Sequence, residues 1–123
     1  RFAKATLPDG YHDGLRDASS VPAQEFRRIV ASNNRLCRSL DLQYIWSVMQ
    51  DRGALVFTSS TSPSHDVRRS DYAKFYDVHS NPQAFGAAIR TMDITYSSFR
   101  NEWGAGRMVL VPERDASAAS RVC

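Results

Sequence analysis

The segment Leu42–Pro63, LQYIWSVMQDRGALVFTSSTSP, decides the predicted fold because it holds two alternating runs on either side of a turn. Gln43–Gln50 and Ala54–Ser60 alternate at period two and contain many β-branched and aromatic residues, as strands do. Between them, Arg52-Gly53 predicts a two-residue turn, because glycine adopts positive φ without steric cost. We therefore expect a β-hairpin.

The turn also predicts which side chains share a face. If Asp51 pairs with Ala54, counting outward places rings and hydroxyls together on one face. The predicted pairs on that face are Val48–Phe57, Trp46–Ser59 and Tyr44–Thr61. The smaller residues of the other face are expected to lie on the preceding helix. A face of rings and hydroxyls is typical of ligand pockets, but it is equally typical of ordinary cross-strand packing.

The elements around the hairpin are predicted from helical periodicity and strand patterns. Pro22–Leu40 has one apolar stripe at helical spacing, and its proline suits a first helical turn. A long crossing section follows the hairpin, with a short helix at Ser70–Asp77 and a second amphipathic helix starting at Asn81-Pro82. Two more strands are predicted at Thr95–Phe99 and Gly106–Pro112. This order predicts an α+β domain with an antiparallel sheet.

Composition favours one soluble globular domain. The 123 residues are 42% hydrophobic and 24% charged, with a formal net charge of +3. The sequence pI is about 9.1, but the arginines are spread evenly along the chain instead of forming a stripe, which argues against a nucleic-acid partner. No apolar run reaches the roughly 18–20 residues of a membrane span.

The residues that could carry catalysis do not form a motif. Ser64, His65 and Asp66 have the letters of a catalytic triad, but adjacent residues cannot adopt its geometry. Three His/Asp clusters, at His12, His65 and His79, could meet in space as a metal site, although none has a known ligand spacing. We therefore expect no enzyme activity in this domain and no cofactor or resident metal.

Two further residue types leave alternatives open. Arg107, at the start of a predicted strand, could hold a ligand carboxylate bidentately or could form a surface ion pair. Cys37 and Cys123 are the two cysteines of the chain. They could form a single disulfide, or Cys37 could be a small buried hydrophobe.

Several segments in this order resemble a known family. The helix EFRRIVASNNRLCRSL, the runs YIWSVM and LVFTSSTSP, and the stretch WGAGRMVLVPERDAS are similar to Cache (PDC-type, PAS-like) extracytoplasmic sensor domains of bacterial membrane-bound signalling proteins. The similarity covers roughly residues 26–117. Ala118 departs from the pattern, because glycine is usual there.

The resemblance implies an architecture. We expect a PAS-like antiparallel sheet of about five strands, with a long N-terminal helix on one face and a helical crossing segment on the other. Residues 1–20 would be an irregular lead-in after a truncated helix, and residues 21–123 a single sensor domain with a truncated C-terminal strand. The parent protein would be a membrane-anchored histidine kinase, diguanylate cyclase or chemoreceptor.

The resemblance also implies a ligand site between sheet and crossing segment. Its expected residues are Tyr44, Trp46, Phe57 and Ser59 as the floor, His65, Tyr72 and Tyr76 from the lid, and Arg107 from a neighbouring strand. The implied function is periplasmic sensing of a small polar or anionic molecule, relayed to a cytoplasmic output domain, with a homodimer through the N-terminal helix. The alternatives are a protein-interaction module without a small ligand and a metal-dependent hydrolase.

Overall fold

The computed structural model describes residues 7, 10–101, 104–112, 114–115 and 118–122. In the order of the chain, the described elements are a 3-10 turn at His12–Gly14, helix α1 (Ala23–Leu40), strands β1 (Ser47–Asp51) and β2 (Ala54–Ser59), 3-10 turns at Val67–Arg69 and Pro82–Phe85, helix α2 (Gly86–Thr91), and strands β3 (Thr95–Asn101), β4 (Gly104–Leu110), β5 (Arg114–Asp115) and β6 (Ala118–Val122).

Helix α1 forms where the apolar stripe predicted it. Pro22 precedes it in an extended conformation, and Asp41 ends it in the left-handed region with φ 54°. The buried side of the helix carries Phe26 and Val30 and also two asparagines, Asn33 and Asn34. The helix therefore buries amide groups as well as hydrocarbon, and each buried amide needs a hydrogen-bond partner.

The β1–β2 hairpin confirms the predicted turn. Arg52 and Gly53 have φ of 52° and 84°, which is the pattern of the type I′ turn that matches strand twist. Asp51 pairs with Ala54, and Val48 pairs with Phe57. Beyond that pair the register shifts, so that Ser47 pairs with Ser59. The predicted Trp46–Ser59 pair is therefore wrong, because a bulge inserts one extra residue into β2.

Strand β1 begins at Ser47 and not at Gln43 because a side chain replaces the ladder there. The hydroxyl of Thr61 accepts a hydrogen bond from Ile45 N at 3.0 Å and donates one to Ile45 O. Both backbone groups of Ile45 are thus satisfied without a partner strand. Alternation in the sequence does not reveal this substitution.

The crossing section runs along the edge of β2. Val78 forms an isolated antiparallel bridge with Val56. The amide of Phe57 donates to Asp77 O at 2.9 Å, and the amide of His79 donates to Leu55 O at 2.8 Å. The short helix predicted at Ser70–Asp77 is absent: the amide of Asp77 closes a single turn onto Lys74 O, and the amide of Tyr76 donates to Phe57 O of β2.

The predicted sheet of about five strands is wrong. In the part of the chain that the structure describes, the strands pair only as β1–β2, β3–β4 and β5–β6. The crossing section covers the free edge of β2, and the bulge interrupts the ladder of β1, so the hairpins do not merge into one PAS-like sheet. The described residues form a mixture of helices and antiparallel hairpins, and they do not show the long N-terminal helix of that architecture.

The core has two clusters on opposite faces of the first hairpin. The first joins α1 and the lead-in to the hairpin, and its buried members are Leu15, Val21, Phe26, Val30, Met49 and Val56. The second joins the other face to α2 and β4, and its buried members are Leu55, Phe85, Ala88 and Leu110. The smaller face of the hairpin therefore lies on α1, as predicted.

Met49→Ala tests the first cluster. Met49 is fully buried between hairpin and helix, so truncation should lower the free energy of unfolding by about 2–5 kcal/mol. Leu40→Ala removes a similar side chain that is 43% exposed and should cost less than about 1 kcal/mol. Urea unfolding monitored by circular dichroism measures both values. Equal losses would show that Met49 does not lie in the core.

Candidate functional site

Five consecutive polar residues are buried at the end of the first hairpin. These residues, Thr58–Ser62, form what we call the polar hub, and each is at most 7% exposed. A buried hydroxyl or amide without a partner costs about 1–3 kcal/mol. The hub is therefore stable only if other segments supply its hydrogen bonds.

Helix α1 supplies the first set of partners. Asn33 Nδ2 donates to Ser60 O at 2.9 Å. Asn34 Nδ2 donates to Ser62 Oγ at 2.7 Å, and Asn34 Oδ1 accepts from Ser62 N at 3.0 Å. These amides fix the position of the helix relative to the segment that follows β2 more specifically than apolar packing can.

The lead-in supplies the second set. Tyr11 donates its hydroxyl to Thr58 O at 2.7 Å, and burial, with a smaller contribution from Glu25, raises the pKa of Tyr11 far above its usual value. His12 Nε2 lies 2.8 Å from Thr58 Oγ1, which also contacts Ser47 Oγ at 2.6 Å. Thr58 is fully buried, so this His–Thr pair joins segments and presents no nucleophile to solvent.

The predicted floor residues occupy different environments. Trp46 packs at the margin of the second core cluster. The ring of Phe57 stacks on His79 with centroids 5.3 Å apart. Ser59 is fully buried, and its hydroxyl lies 2.8 Å from Ser47 Oγ in the polar hub. Tyr44 is half-buried just before β1.

Two of the predicted lid residues pack on the opposite side of the hairpin from Trp46. Tyr72 and Tyr76 both contact the first core cluster, and the Tyr72 ring lies 6.1 Å from that of Phe26. Tyr76, in the left-handed region with φ 70°, donates its hydroxyl to Asp51 Oδ2. The structure therefore does not bring these tyrosines to Trp46, because the crossing section pairs with the edge of β2 instead of covering its aromatic face.

His65 links α1 to the segment before β1. Its Nε2 lies 2.9 Å from Gln43 O, and Arg38 donates to its carbonyl oxygen at 2.6 Å. In the described residues, no group of three or more His, Cys, Asp or Glu side chains is arranged to hold a metal ion. Cys37 is buried as an unbridged thiol whose pKa is raised by burial, and Cys123 lies outside the described residues.

Arg107 lies on the second hairpin. Its partner across the ladder is Ser98, and the next pair on the same face is Arg100 with Ala105. We call these outward-facing residues, Ser98, Arg100, Ala105 and Arg107, the guanidinium face. Together with Gly106 they line an open depression of about 460 Å³. In the described part of the chain, neither arginine has an ion-pair partner.

Two features of the structure, one on β3 and one on α1, were not predicted from the sequence. Arg100 was missed because the strand was predicted to end at Phe99, whereas β3 continues to Asn101. The available signal was the period-two spacing of Tyr96, Ser98 and Arg100, which extends the strand pattern as far as Arg100. The roles of Asn33 and Asn34 carried no local signal, because their partners lie 27 and 28 residues away.

His79 lies in an apolar environment. Its ring contacts Phe57 on one side and Phe85 on the other, with centroids 5.3 Å and 4.8 Å apart. Its Nδ1 accepts a hydrogen bond from Asn81 N at 3.0 Å, so the neutral ring carries its proton on Nε2. Burial lowers the pKa of His79 below its usual value of 6.5.

Comparison with known proteins adds no family assignment: no family model, no curated protein and no solved structure matches this chain. None of the helices in the described ranges combines the length and apolar character needed to cross a bilayer. The resemblance to Cache domains therefore stays a prediction that rests on the quoted segments.

Asn34→Ala tests the polar hub. The substitution leaves the buried Ser62 amide without its acceptor, and we expect the free energy of unfolding to fall by about 1–3 kcal/mol. Ser32→Ala, which removes only an exposed contact with Arg35, should change it by less than about 0.5 kcal/mol. Chemical denaturation compares the two, and an equal effect of both would contradict a structural role for the asparagine.

His79→Phe tests the histidine environment. Above pH 6.5 the ring is neutral in both folded and unfolded chains. As the pH falls below this value, the unfolded chain takes up a proton that the folded chain resists, so stability is lost until the pH passes the lowered pKa. Denaturation at several pH values from 7.5 to about 5 should show a shallower loss for His79→Phe than for wild type.

The control for that comparison is Val30→Ala in the other core cluster. It should lower stability at every pH while keeping the wild-type slope, because the histidine and its two ring contacts are untouched. A wild-type slope in His79→Phe would assign the acid sensitivity to other groups.

Proposed function

We propose that this chain is the signal-sensing domain of a transmembrane signalling protein and that it binds a small anionic ligand on the guanidinium face. The observation that carries the ligand class is the pair Arg100 and Arg107 around the hydroxyl of Ser98, two arginines that have no ion-pair partner among the described residues. Guanidinium groups hold carboxylates and phosphates through two parallel hydrogen bonds.

The spacing of the two arginines favours an anion between them. Arg100 faces Ala105, and Arg107 lies two residues further along β4 on the same side. Such diagonal neighbours have Cα atoms about 7–8 Å apart, within reach of long side chains. Two like charges at this distance repel each other, and an anion bound between them removes that cost. The depression between them is open to solvent, so a small anion can reach both guanidinium groups from the surface.

The fold offers a route from this face to the rest of the domain. The opposite side of the β3–β4 hairpin buries Leu110 in the second core cluster, and Met108 and Trp46 pack against the same cluster. An anion that fixes the outward side chains therefore favours one position of this hairpin. The inward side of the hairpin contacts α2 and the first hairpin, so the change reaches both. A differential affinity of a few kcal/mol between two arrangements suffices to shift a signalling equilibrium.

The wider setting rests on the sequence resemblance. We propose that the domain lies outside the cytoplasmic membrane, that its parent protein is membrane-anchored, and that two copies pair through the N-terminal helix. The output domain, a kinase or a cyclase, would lie in the cytoplasm. The sensor domain itself performs no catalysis in this proposal.

A protein-interaction module is the second candidate. The observation that favours it is the exposure of Ile94, Tyr96 and Val109 on the second hairpin, at 48%, 77% and 54%. Exposed apolar side chains that cluster on one surface mark interaction sites more often than single ones do. This candidate predicts no response to small anions.

The test is a titration of the isotopically labelled domain with acetate, succinate and inorganic phosphate, followed by NMR. We expect saturable shifts of the Ser98, Gly106 and Arg107 amides for at least one anion. Arg100→Gln and Arg107→Gln should each weaken binding by roughly tenfold, since a charged hydrogen bond contributes about 1.5–3 kcal/mol.

Arg90→Gln is the matched control, because it removes the same charge from an exposed position on α2. It should leave the affinity within about twofold if the site depends on local contacts and not on net charge. Equal weakening by all three variants, or no saturable shift with any anion, would overturn the proposed function.

A further inference from the structure

The guanidinium face continues into an apolar surface along the same hairpin. Tyr96 pairs with Val109 directly beside the pair of Ser98 with Arg107. Tyr96 and Val109 are 77% and 54% exposed, and Ile94, two residues before Tyr96, is 48% exposed. Of the five exposed large hydrophobic side chains found in the described residues, two thus face each other here, and Ile94 lies just before β3.

We infer that the ligand of this face is a monocarboxylate that carries an aromatic ring, with its carboxylate on Arg100 and Arg107 and its ring on Tyr96 and Val109. This inference rests on the proposed function and specifies its ligand. It assigns a second part of the site, one that selects for the apolar end of the molecule.

The ladder sets the required length of that molecule. Residues two apart on a strand are about 6.6–6.8 Å apart, so this distance separates the Tyr96–Val109 pair from the Ser98–Arg107 pair. A single ring with a one-carbon arm has about this length from its far ring carbon to its carboxylate oxygens, and Arg100, one pair further along β3, would reach the carboxylate with its long side chain. An inorganic anion or acetate reaches the arginines alone and leaves the tyrosine exposed.

The chemistry of the apolar pair suits an aromatic ring. Tyrosine offers a rigid surface that stacks against another ring with little loss of conformational entropy. Val109 lies directly opposite on the ladder and widens that surface. Burying one ring against the pair should improve affinity by about tenfold or more, because the ring removes apolar area of both partners from water.

A small ligand fits this face better than a second protein does. Specific protein interfaces bury about 800 Å² on each partner, whereas the apolar part here consists of three side chains beside a depression of about 460 Å³. The two arginines, which have no ion-pair partner within the described ranges, also favour an anionic occupant over a second copy of this chain, which presents the same positive charges.

Acetate and phenylacetate are the probes, because they share the carboxylate and differ by the ring. NMR titration of the wild-type domain should give a dissociation constant at least about tenfold lower for phenylacetate. Tyr96→Thr replaces the ring with a β-branched residue that suits a strand and should abolish this difference while leaving acetate binding unchanged. The control Val78→Thr, at an exposed valine on the crossing section, should preserve it.

The outcomes separate the inference from the proposed function. If wild type binds both probes with equal affinity through the arginines, the ring-binding inference is overturned and the anion site stands. If neither probe binds, the ring-binding inference is overturned, and the proposed function is overturned with it when succinate and inorganic phosphate also give no saturable shift. If phenylacetate gives no advantage and light scattering shows that Tyr96→Thr dissociates a dimer present in wild type, the apolar part is an interface between copies of the chain.

Discussion

The structure depends on the need to satisfy the buried hydroxyls and amides of Thr58–Ser62. Hydrophobic contacts lose little free energy when they are displaced slightly. A buried hydrogen-bond donor that loses its partner costs much more. The partners come from distant segments: Tyr11 and His12 from the lead-in, Asn33 and Asn34 from α1. In the described residues, no buried side-chain nitrogen or oxygen lacks a partner. This requirement fixes how α1, the lead-in and the first hairpin meet.

The same hub explains why the first hairpin has two different faces and an irregular end. The register shift beside Ser47 brings its hydroxyl to both Thr58 and Ser59, and Thr61 takes over the backbone groups of Ile45. The ladder therefore stops where the polar network starts. With the edge of β2 covered by residues 76–79, the second hairpin is left to pack through its inward side, and its outward side carries the arginines and Tyr96.

Sequence patterns predicted the elements better than their assembly. Helix α1, the Arg52-Gly53 turn and the Val48–Phe57 pair followed from local periodicity and turn chemistry, and Met49 and Val56 were correctly expected to lie toward the helix. The sheet of about five strands was wrong because joining hairpins depends on which edges remain open. The predicted site residues Trp46, Tyr76 and Arg107 lie on separate surfaces for the same reason.

The amino-acid sequence by itself determined where the chain forms helix and hairpin, because spacing, glycine and proline act through contacts between near neighbours. It also supplied the alternation that places Tyr96, Ser98 and Arg100 on one side of a strand. Only the tertiary structure decided that Asn33 and Asn34 bind Ser60 and Ser62, just after β2, and that Arg100 and Arg107 meet around one depression. The asparagine contacts depend on partners distant in sequence, which are set by the satisfaction of buried polar groups, and the arginines meet through the register of the β3–β4 ladder.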